Sequence, residues 1–403
     1  MADTDSRSPW SIFLVFLRLG LSAFGGPAAH LGFFRAEFVT RRRWLDEHSY
    51  ADLVALCQFL PGPASSQVGM ALGLARAGYP GALAAWAGFT LPSALALILF
   101  ALGMAQGARV VPPGLVHGLQ AVAVAVVAQA VWGMARTLCT DAPRIAIMLA
   151  AAAFTLFLPS AWGQAGVIAA AGLAGRLLFR PAPRAVHDAL AVPVGRRAGL
   201  YWLALFLLLL AGLPLAARWL PGQALASVDA FYRAGALVFG GGHVVLPLLQ
   251  AEVVARGWVS SVDFLAGYAA AQAVPGPLFT FAAFLGAAMH GAPSGWAGGL
   301  LCLLAIFAPA FLLVAGALPF WARWRAAPGM AAALAGINAA VVGLLLAALC
   351  HLLASGAVAA PADAVLALAA LAGLMYWKLP PWLVIAAGAA AGILAGWLPA
   401  LAL

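Results

Sequence analysis

Two arginines lie inside long apolar stretches, where a charged side chain is costly. Arg18 and Arg233 each stand six residues before a Phe-Gly-Gly, in FLRLGLSAFGG and FYRAGALVFGG. An arginine at the centre of a bilayer costs roughly 2.5–3.5 kcal/mol on insertion scales, so it normally faces a cavity, a partner or an anion. A guanidinium is always charged, and its fork matches a tetrahedral oxyanion. The alternative is that Arg18, close to the start of its helix, snorkels to the interface.

A Pro-Gly-Pro turn follows each arginine, at 61–63 and 275–277. Residues 50–60 and 64–78 flank the first turn, and each stretch is too short to cross about 30 Å of hydrocarbon. We therefore predict two half-helices joined by the turn, a re-entrant or broken-helix hairpin that is tolerated at membrane depth only where it lines a cavity or is buried in protein. A kinked packing hairpin with capping hydroxyls is the alternative.

The helix after each turn would present unpaired N–H groups and a positive dipole end to an anion. Hydroxyl and amide donors lie nearby, and the Gly-Gly breaks allow close backbone approach. The predicted substrate-binding residues, besides the two arginines, are Gln58, Gln272, Gly62, Pro63, Ser65, Ser66, Gly276, Pro277, Thr280, Gly25, Gly26, Gly240 and Gly241.

Glu37 and Glu252 occupy matching positions and have three possible roles: proton carriers for coupling, partners of the arginines, or ordinary loop carboxylates. His30 and His243 follow the two breaks and could titrate near neutrality. The seven His show no HxxxH or HExxH spacing and the four Cys no CxxC, so we predict no metal site and no cofactor. No nucleophile motif is present either, so an enzyme is not expected.

These features recur because the chain contains an internal duplication. Arg18, the Phe-Gly-Gly and Glu37 match their second copies at an offset of 215. Trp44, Gln58 and the Pro-Gly-Pro match theirs at an offset of 214. With a single one-residue gap, the two copies therefore align at residue types that are uncommon in this Ala/Leu-rich sequence. Chance similarity between apolar helices would not produce such matches.

Composition places the whole chain in a membrane. Of 403 residues, 65% are hydrophobic and 8% charged, and the mean hydropathy is +1.01. A soluble domain carries about 25% charged residues. The net charge of +9 is explained by the positive-inside rule, so no nucleic-acid partner is expected. The polar first nine residues lack a cleavage site, and no secretory signal is expected.

We predict an all-α polytopic membrane protein with two homologous repeats, each containing a broken-helix hairpin. The first repeat covers 1–179, a basic Pro-rich linker with one extra helix covers 180–226, and the second repeat covers 227–403. The loop after the first helix is richer in arginine than its second copy, which favours inverted halves. Counting spans instead gives parallel halves, and the expected number of full spans is 10–13.

The chain resembles the long, two-domain members of the chromate ion transporter superfamily. The resemblance covers both halves and rests on FGGP at 24–27, RRRWLDE at 41–47, QFLPGPASSQ at 58–67, GYPGALAA at 78–85 and a degenerate second copy at 231–286. Its first-half motif matches here at Arg18, Phe24 to Pro27, Glu37, Arg43, Trp44, Gln58 and 61–63. In the second half Gly242 replaces the proline and the RRRW run is lost, so this half is expected to support the site.

The resemblance implies a multi-pass protein of the bacterial inner membrane that exports chromate and confers resistance, with sulfate as the chemical analogue. The expected partners are chromate or sulfate, H⁺ as coupling ion and the lipid bilayer. A homodimer stays open. An uncoupled anion channel or uniporter, a sulfate transporter and, less favoured, a membrane-embedded enzyme are the alternative functions.

Overall fold

The computed structural model describes residues 8–24, 26–107, 113–157, 161–179, 193–220, 222–238, 245–325, 328–354, 358, 361–379 and 381–401. Within these ranges every regular element is helical, which confirms the predicted all-α class. Gly25, Gly240, Gly241 and His243 lie outside the described residues, as do 180–192 of the predicted linker.

Seventeen α-helices cover the described chain. They are α1 (Pro9–Ser22), α2 (Gly26–Arg35), α3 (Glu47–Phe59), α4 (Ala64–Gly107), α5 (Pro113–Leu138), α6 (Ala142–Phe157), α7 (Ala161–Leu178), α8 (Arg196–Trp219), α9 (Gln223–Leu237), α10 (Val245–Val253), α11 (Ser261–Ala273), α12 (Phe281–Ala288), α13 (Gly295–Ala317), α14 (Trp321–Arg325), α15 (Pro328–Ala354), α16 (Pro361–Met375) and α17 (Pro381–Leu401). A π-helix (Ala36–Arg41) follows α2, and two 3₁₀ turns (Leu278–Thr280 and Leu318–Phe320) precede α12 and α14.

Several of these helices are long and apolar enough to cross a membrane, and the chain is a multi-pass integral membrane protein. By length and composition, five candidate spans occur among the described residues: Ala64–Ala105, Gln120–Leu138, Arg196–Trp219, Gly295–Phe320 and Gly329–Ala354. Shorter apolar helices lie at Pro9–Ser22, Ala142–Phe157, Gly166–Leu178, Leu278–Ala288, Pro361–Met375 and Leu383–Leu394. The expected count of 10–13 full spans, and the relative orientation of the halves, stay predictions.

The helices are interrupted where the sequence predicts it. α1 ends at Ser22 because Ala23 is extended, and α2 starts at Gly26, whose φ is +78°. α3 ends before Leu60, also extended, and α4 starts just after Pro63. Inside α4 the backbone breaks again at Ala77 and Gly78 (φ +65°). The half-helices on both sides of the first Pro-Gly-Pro are thus confirmed.

Chain contacts define two compact units, and each draws on both sequence copies. The first unit comprises Met1–Ile98, Arg180–Val245 and Pro275–Ala331, and the second comprises Leu99–Phe179, Leu246–Val274 and Ala332–Leu403. In the second unit α5 packs along α16 and α17, with α11 beside it. The division into repeats at 179 and 226 is a statement about sequence copies and stays a prediction.

The first unit contains the same helix crossing twice. A Cβ on Gly20 of α1 would lie 2.8 Å from the carbonyl oxygen of Phe89 in α4. A Cβ on Gly235 of α9 would lie 2.1 Å from the carbonyl oxygen of Ile306 in α13. Only glycine permits so close an approach of two membrane helices. Because Gly20 and Gly235 are 215 positions apart, the duplication predicted from sequence is also a duplication of packing.

Candidate functional site

The two hairpin tips are bonded crosswise between the copies. Gly62 of the first turn donates its backbone N–H to the carbonyl oxygen of Val238 at 2.6 Å. Gly276 of the second turn donates to the carbonyl oxygen of Ala23 at 3.0 Å. Ala23 and Val238 are the matching residues at which α1 and α9 end. Each hairpin is therefore attached to the helix break of the other copy.

Each hairpin tip also packs against a helix of the other copy. A Cβ on Gly62 would lie 3.4 Å from the Cβ of Ala310, and a Cβ on Gly276 would lie 2.8 Å from the Oγ of Ser93. Ala310 and Ser93 each follow the proline inside α13 and α4, respectively. Both tip glycines have positive φ, +119° and +109°, which side chains rarely adopt. The end of one helix, the tip of a hairpin and the residue after a helix proline thus converge twice in the first unit.

The first hairpin carries buried polar groups at the N-terminus of α4. Ser66 is 2% exposed, and its hydroxyl has no hydrogen-bond partner among the described residues. Gln67, fully buried, donates its side-chain amide to the Pro61 carbonyl oxygen at 2.7 Å, while its Oε1 has no partner there. Buried hydroxyls are normally hydrogen-bonded, and leaving one unpaired costs about 1–3 kcal/mol. A buried, unpartnered hydroxyl beside the first N–H groups of α4 is a place where an anionic ligand can bind.

The second hairpin is different, although its backbone is placed alike. Phe279 and Phe281 stand where the first copy has Ser65 and Gln67. Thr280, which matches Ser66, donates its hydroxyl to the Pro277 carbonyl oxygen at 2.8 Å, within a 3₁₀ turn. The predicted donor on Thr280 is therefore already used inside the hairpin.

His30 of α2 connects these elements. It is 1% exposed, with Nε2 3.2 Å from the Ala23 carbonyl oxygen and Nδ1 3.4 Å from the Ser65 Oγ. A carbonyl oxygen only accepts, so Nε2 carries the proton, and in the neutral ring Nδ1 accepts from Ser65. The Ala23 carbonyl also accepts from Gly276. One buried imidazole thus joins the first break, the first hairpin and the acceptor of the second hairpin.

The two predicted arginines have unlike surroundings. Arg18 is exposed and lines a cavity of about 230 Å³ in which Glu37 and Arg41 also lie. Its guanidinium has no hydrogen-bond or ion-pair partner in the part of the chain that the structure describes. Arg233 is buried, and its Nε and Nη2 donate to the two carboxylate oxygens of Asp229 at 2.9 and 2.8 Å. Of the pair, Arg18 is the one available to an anion.

Both predicted coupling carboxylates are ion-paired. Glu37 accepts from Arg42 Nε at 2.5 Å and from Arg41 Nη1 at 3.1 Å. Partial burial alone raises the pKa of Glu37, but the hydrogen bonds and charges of the two arginines outweigh it, so the pKa lies below its ordinary value. Glu252 accepts from Arg256 Nη2 at 2.7 Å. A proton-carrying role for Glu37 therefore requires that its arginines first move away.

The one-residue gap between the copies has a visible cause. Trp44 donates its backbone N–H to the Phe38 carbonyl oxygen at 2.7 Å, and Trp258 donates to the matching Val253 at 2.9 Å. The first copy spans one residue more between these points, and the π-helix Ala36–Arg41 takes it up with its wider turn. In both copies an arginine then lies over the tryptophan ring, Arg42 at 5.9 Å and Arg256 at 5.0 Å.

The two predicted glutamines differ in their surroundings. Gln58 is exposed on α3, and Gln272, in the second unit, donates its side-chain amide to the Tyr268 hydroxyl at 2.8 Å.

Sequence reasoning missed Asp229 and Arg41. The spacing of Asp229 and Arg233, one helical turn apart in an apolar helix, was the signal for the first. No sequence signal separates Arg41 from its neighbouring arginines.

An all-helical membrane protein with broken helices, whose two hairpin tips are bonded crosswise beside buried polar groups, has features typical of transporters. The chain belongs to the chromate transporter family, whose sequence pattern matches residues 10–176 and 225–393. It is 31% identical to a chromate transport protein of Pseudomonas aeruginosa, over 83% of this chain and 78% of that protein.

Two more relatives extend the comparison. A chromate transport protein of Cupriavidus metallidurans is 28% identical over 94% of this chain and 91% of its own length. An uncharacterised transporter of Methanocaldococcus jannaschii is 27% identical over 80% of this chain and 78% of its own length. No solved structure matches the chain.

Proposed function

We propose that this protein is a secondary active transporter that exports chromate across the cytoplasmic membrane and thereby confers chromate resistance. Membership of the chromate transporter family supports chromate as the substrate. Sulfate, which like chromate is a tetrahedral dianion, is the expected competitor. Rocking of one part of the structure against another would provide alternating access.

The observation that carries the proposal is the buried, unpartnered hydroxyl of Ser66 at the N-terminus of α4. The unpaired N–H groups of the first turn and the helix dipole favour an anion at that position. The Gly62–Val238 hydrogen bond attaches the tip just before this terminus to the end of α9, and His30 lies within hydrogen-bond distance of both Ser65 and the Ala23 carbonyl oxygen at the end of α1. The oxyanion would bind at the first hairpin, and the second hairpin would brace it.

Coupling to H⁺ is the finer part of the proposal. Glu37 and Glu252 are the candidate proton carriers, each held by at least one arginine at rest. Displacing the two arginines from Glu37 would leave burial as the dominant influence, and burial raises the pKa of that carboxyl.

Chromate uptake into inside-out vesicles from expressing cells tests the function. A coupled exporter shows uptake that depends on the pH gradient and that sulfate suppresses. Uptake independent of any gradient would indicate an uncoupled channel or uniporter, and sulfate uptake without chromate uptake would indicate a sulfate transporter. Absence of both, with the protein present and folded, would overturn the proposal.

Ser66→Ala and Thr280→Val form a matched pair for the site. A hydrogen bond to a charged ligand is worth about 1.5–3 kcal/mol, so Ser66→Ala should raise the half-saturating chromate concentration about tenfold or more. Thr280→Val removes a hydroxyl that bonds within its own hairpin, so it should lower thermal stability and leave half-saturation unchanged. Equal effects of the two variants on half-saturation would remove the asymmetry on which the site rests.

A further inference from the structure

A second group of charged residues lies outside the hairpins, in the cavity between α1 and the π-helix. Arg18 comes from α1, while Glu37 and Arg41 come from the π-helix. The other lining residues are Val15, Leu19, Ser22, Phe33 and Ala36. Two positive charges and one negative charge therefore face a largely apolar cavity of about 230 Å³, and Arg42 adds a third positive charge behind the carboxylate.

Glu37 occupies the place that an oxyanion would take on Arg41. Its Oε2 accepts from Arg41 Nη1 at 3.1 Å, a long and singly bonded contact, while Oε1 is held at 2.5 Å by Arg42. Arg41 is exposed and Arg18 has no partner among the described residues, so both forks are accessible. A tetrahedral oxyanion offers oxygens to both guanidiniums at once, which one carboxylate already bonded to Arg42 does not.

We propose that this cavity is a second oxyanion site, an access site that hands the substrate to or from the first hairpin, and that Glu37 is its resident counter-ion. The incoming oxyanion binds Arg18 and displaces the Glu37 carboxylate from Arg41, while Arg42 keeps Glu37 in place. Departure of the oxyanion restores the Glu37–Arg41 pair. The inference rests on the proposed oxyanion transport and adds a site to it.

The described residues of the second copy pair their charges differently. Arg233, the counterpart of Arg18, is held by both carboxylate oxygens of Asp229 and is buried. Glu252 and Arg256 form the counterpart of the Glu37–Arg41 pair. Arg35→Gln is the control, because it breaks an exposed Arg–Glu ion pair, Arg35–Glu47, whose two residues do not line the cavity.

The experiment measures chromate uptake by purified full-length protein in liposomes, comparing wild type, Glu37→Gln, Arg41→Gln, Arg18→Lys and the control Arg35→Gln. Removing a competing carboxylate should lower the half-saturating chromate concentration about three- to tenfold in Glu37→Gln, whereas Arg41→Gln should raise it by a similar factor. Arg18→Lys keeps the charge but loses the fork, and it should raise half-saturation less than Arg41→Gln. Arg35→Gln should leave half-saturation unchanged, because the Arg35–Glu47 pair is exposed and outside the cavity.

Opposite shifts for Glu37→Gln and Arg41→Gln support the access site, because a purely structural ion pair would make both variants worse. Shifts in the same direction, or none, overturn it. If wild type transports chromate and Ser66→Ala impairs it while these variants have no effect, the access site fails and the proposed function stands. Without wild-type transport, the proposed function itself fails.

A lipid phosphate has the same oxyanion chemistry, and lipid composition separates the two sources. Liposomes of phosphatidylcholine alone are compared with liposomes that also contain phosphatidylglycerol. A Glu37→Gln effect that is equal in both supports a soluble oxyanion. An effect that disappears when phosphatidylglycerol is added shows that lipid occupies the cavity, and it overturns the access role.

Discussion

The two copies of the duplicated segment share a backbone and differ in charge. Each has a helix that ends two residues before its Gly-Gly pair, a Pro-Gly-Pro tip bonded to the other copy, and a Glu–Arg–Trp arrangement at the end of the next helix. The first copy leaves Arg18 and the Ser66 hydroxyl without partners among the described residues, whereas the second pairs Arg233 with Asp229 and Thr280 with Pro277.

The two copies share the backbone hydrogen bonds between them but not the unpaired polar groups. The crossed backbone bonds need both copies, since each tip uses the other copy's break as acceptor. The polar groups that would meet an anion need only one copy. At the matching positions the second copy has internal pairs and aromatic rings, so it adds no unpaired charge beside the first hairpin.

The largest expected effect comes from the buried arginine. Arg233→Gln leaves the buried Asp229 carboxylate without its bidentate partner, and breaking a buried ion pair costs about 3–5 kcal/mol. Arg18→Gln removes no such partner, so its thermal stability should stay close to that of wild type while its chromate half-saturation rises. Thermal unfolding in detergent and vesicle uptake measure the two properties separately.

The control is the double variant Asp229→Leu/Arg233→Leu, which gives the second copy an apolar pair; the first copy has Leu14 in the place of Asp229. Apolar replacement of a buried ion pair is often neutral, so most of the lost stability should return. A double variant as unstable as Arg233→Gln would show that Arg233 acts through other contacts. Full chromate flux in both Arg18→Gln and Arg233→Gln would remove the arginines from the site.

The positions of the helix breaks in both copies were predictable from sequence. Gly-Gly pairs, Pro-Gly-Pro turns and apolar stretches of about eleven residues directly specify where helices break, and the breaks at Ala23 and Leu60 occur there. Family motifs added the substrate class. Membrane helices are also long enough that their existence rarely depends on tertiary contacts.

The partner of each backbone group was not predictable. The turn at Pro61-Gly62-Pro63 indicates that the Gly62 N–H has no partner within a helix. Its acceptor, the Val238 carbonyl oxygen, lies 176 positions away on one of many apolar residues. The π-helix illustrates a second limit, because the offset change from 215 to 214 located an extra residue without saying how the helix absorbs it. His30 was interpreted only as a titratable group, because the sequence does not show that its ring meets the Ala23 carbonyl oxygen and the Ser65 hydroxyl.

The hairpin tips provide the next largest effect. Gly62→Ala and Gly276→Ala force a side chain into φ values of +119° and +109°, a strain of about 1–3 kcal/mol each. The added methyl would also lie 3.0 Å from Gln67 Nε2 in the first case and 2.8 Å from Ser93 Oγ in the second. Both variants should lose stability, but Gly62→Ala should lose more transport because it shifts the Gln67 side chain next to Ser66. Equal transport at equal stability would argue that the two tips are interchangeable.

His30 gives a smaller effect with a built-in rescue. His30→Leu removes both ring hydrogen bonds and should lower stability by about 1–3 kcal/mol, because Ser65 loses its buried acceptor. His30→Gln can still place an N–H near the position of Nε2 and donate to Ala23, so it should recover part of both stability and uptake. The readout is thermal unfolding beside vesicle uptake, and identical losses in the two variants would reduce His30 to a packing role.

The smallest effect concerns the residue before each tryptophan. Arg43 has φ +52° and its counterpart Gly257 has φ +69°, so a side chain is tolerated in the left-handed region in one copy and avoided in the other. Arg43→Gly should stabilise the first copy by up to about 1 kcal/mol, and Gly257→Arg should destabilise the second by a similar amount, because left-handed backbone disfavours a Cβ. Thermal unfolding of the two single variants measures both. If Arg43→Gly is instead destabilising, the Arg43 side chain makes contacts that outweigh its strained backbone, and the first copy has kept it for a charge that the second copy no longer needs.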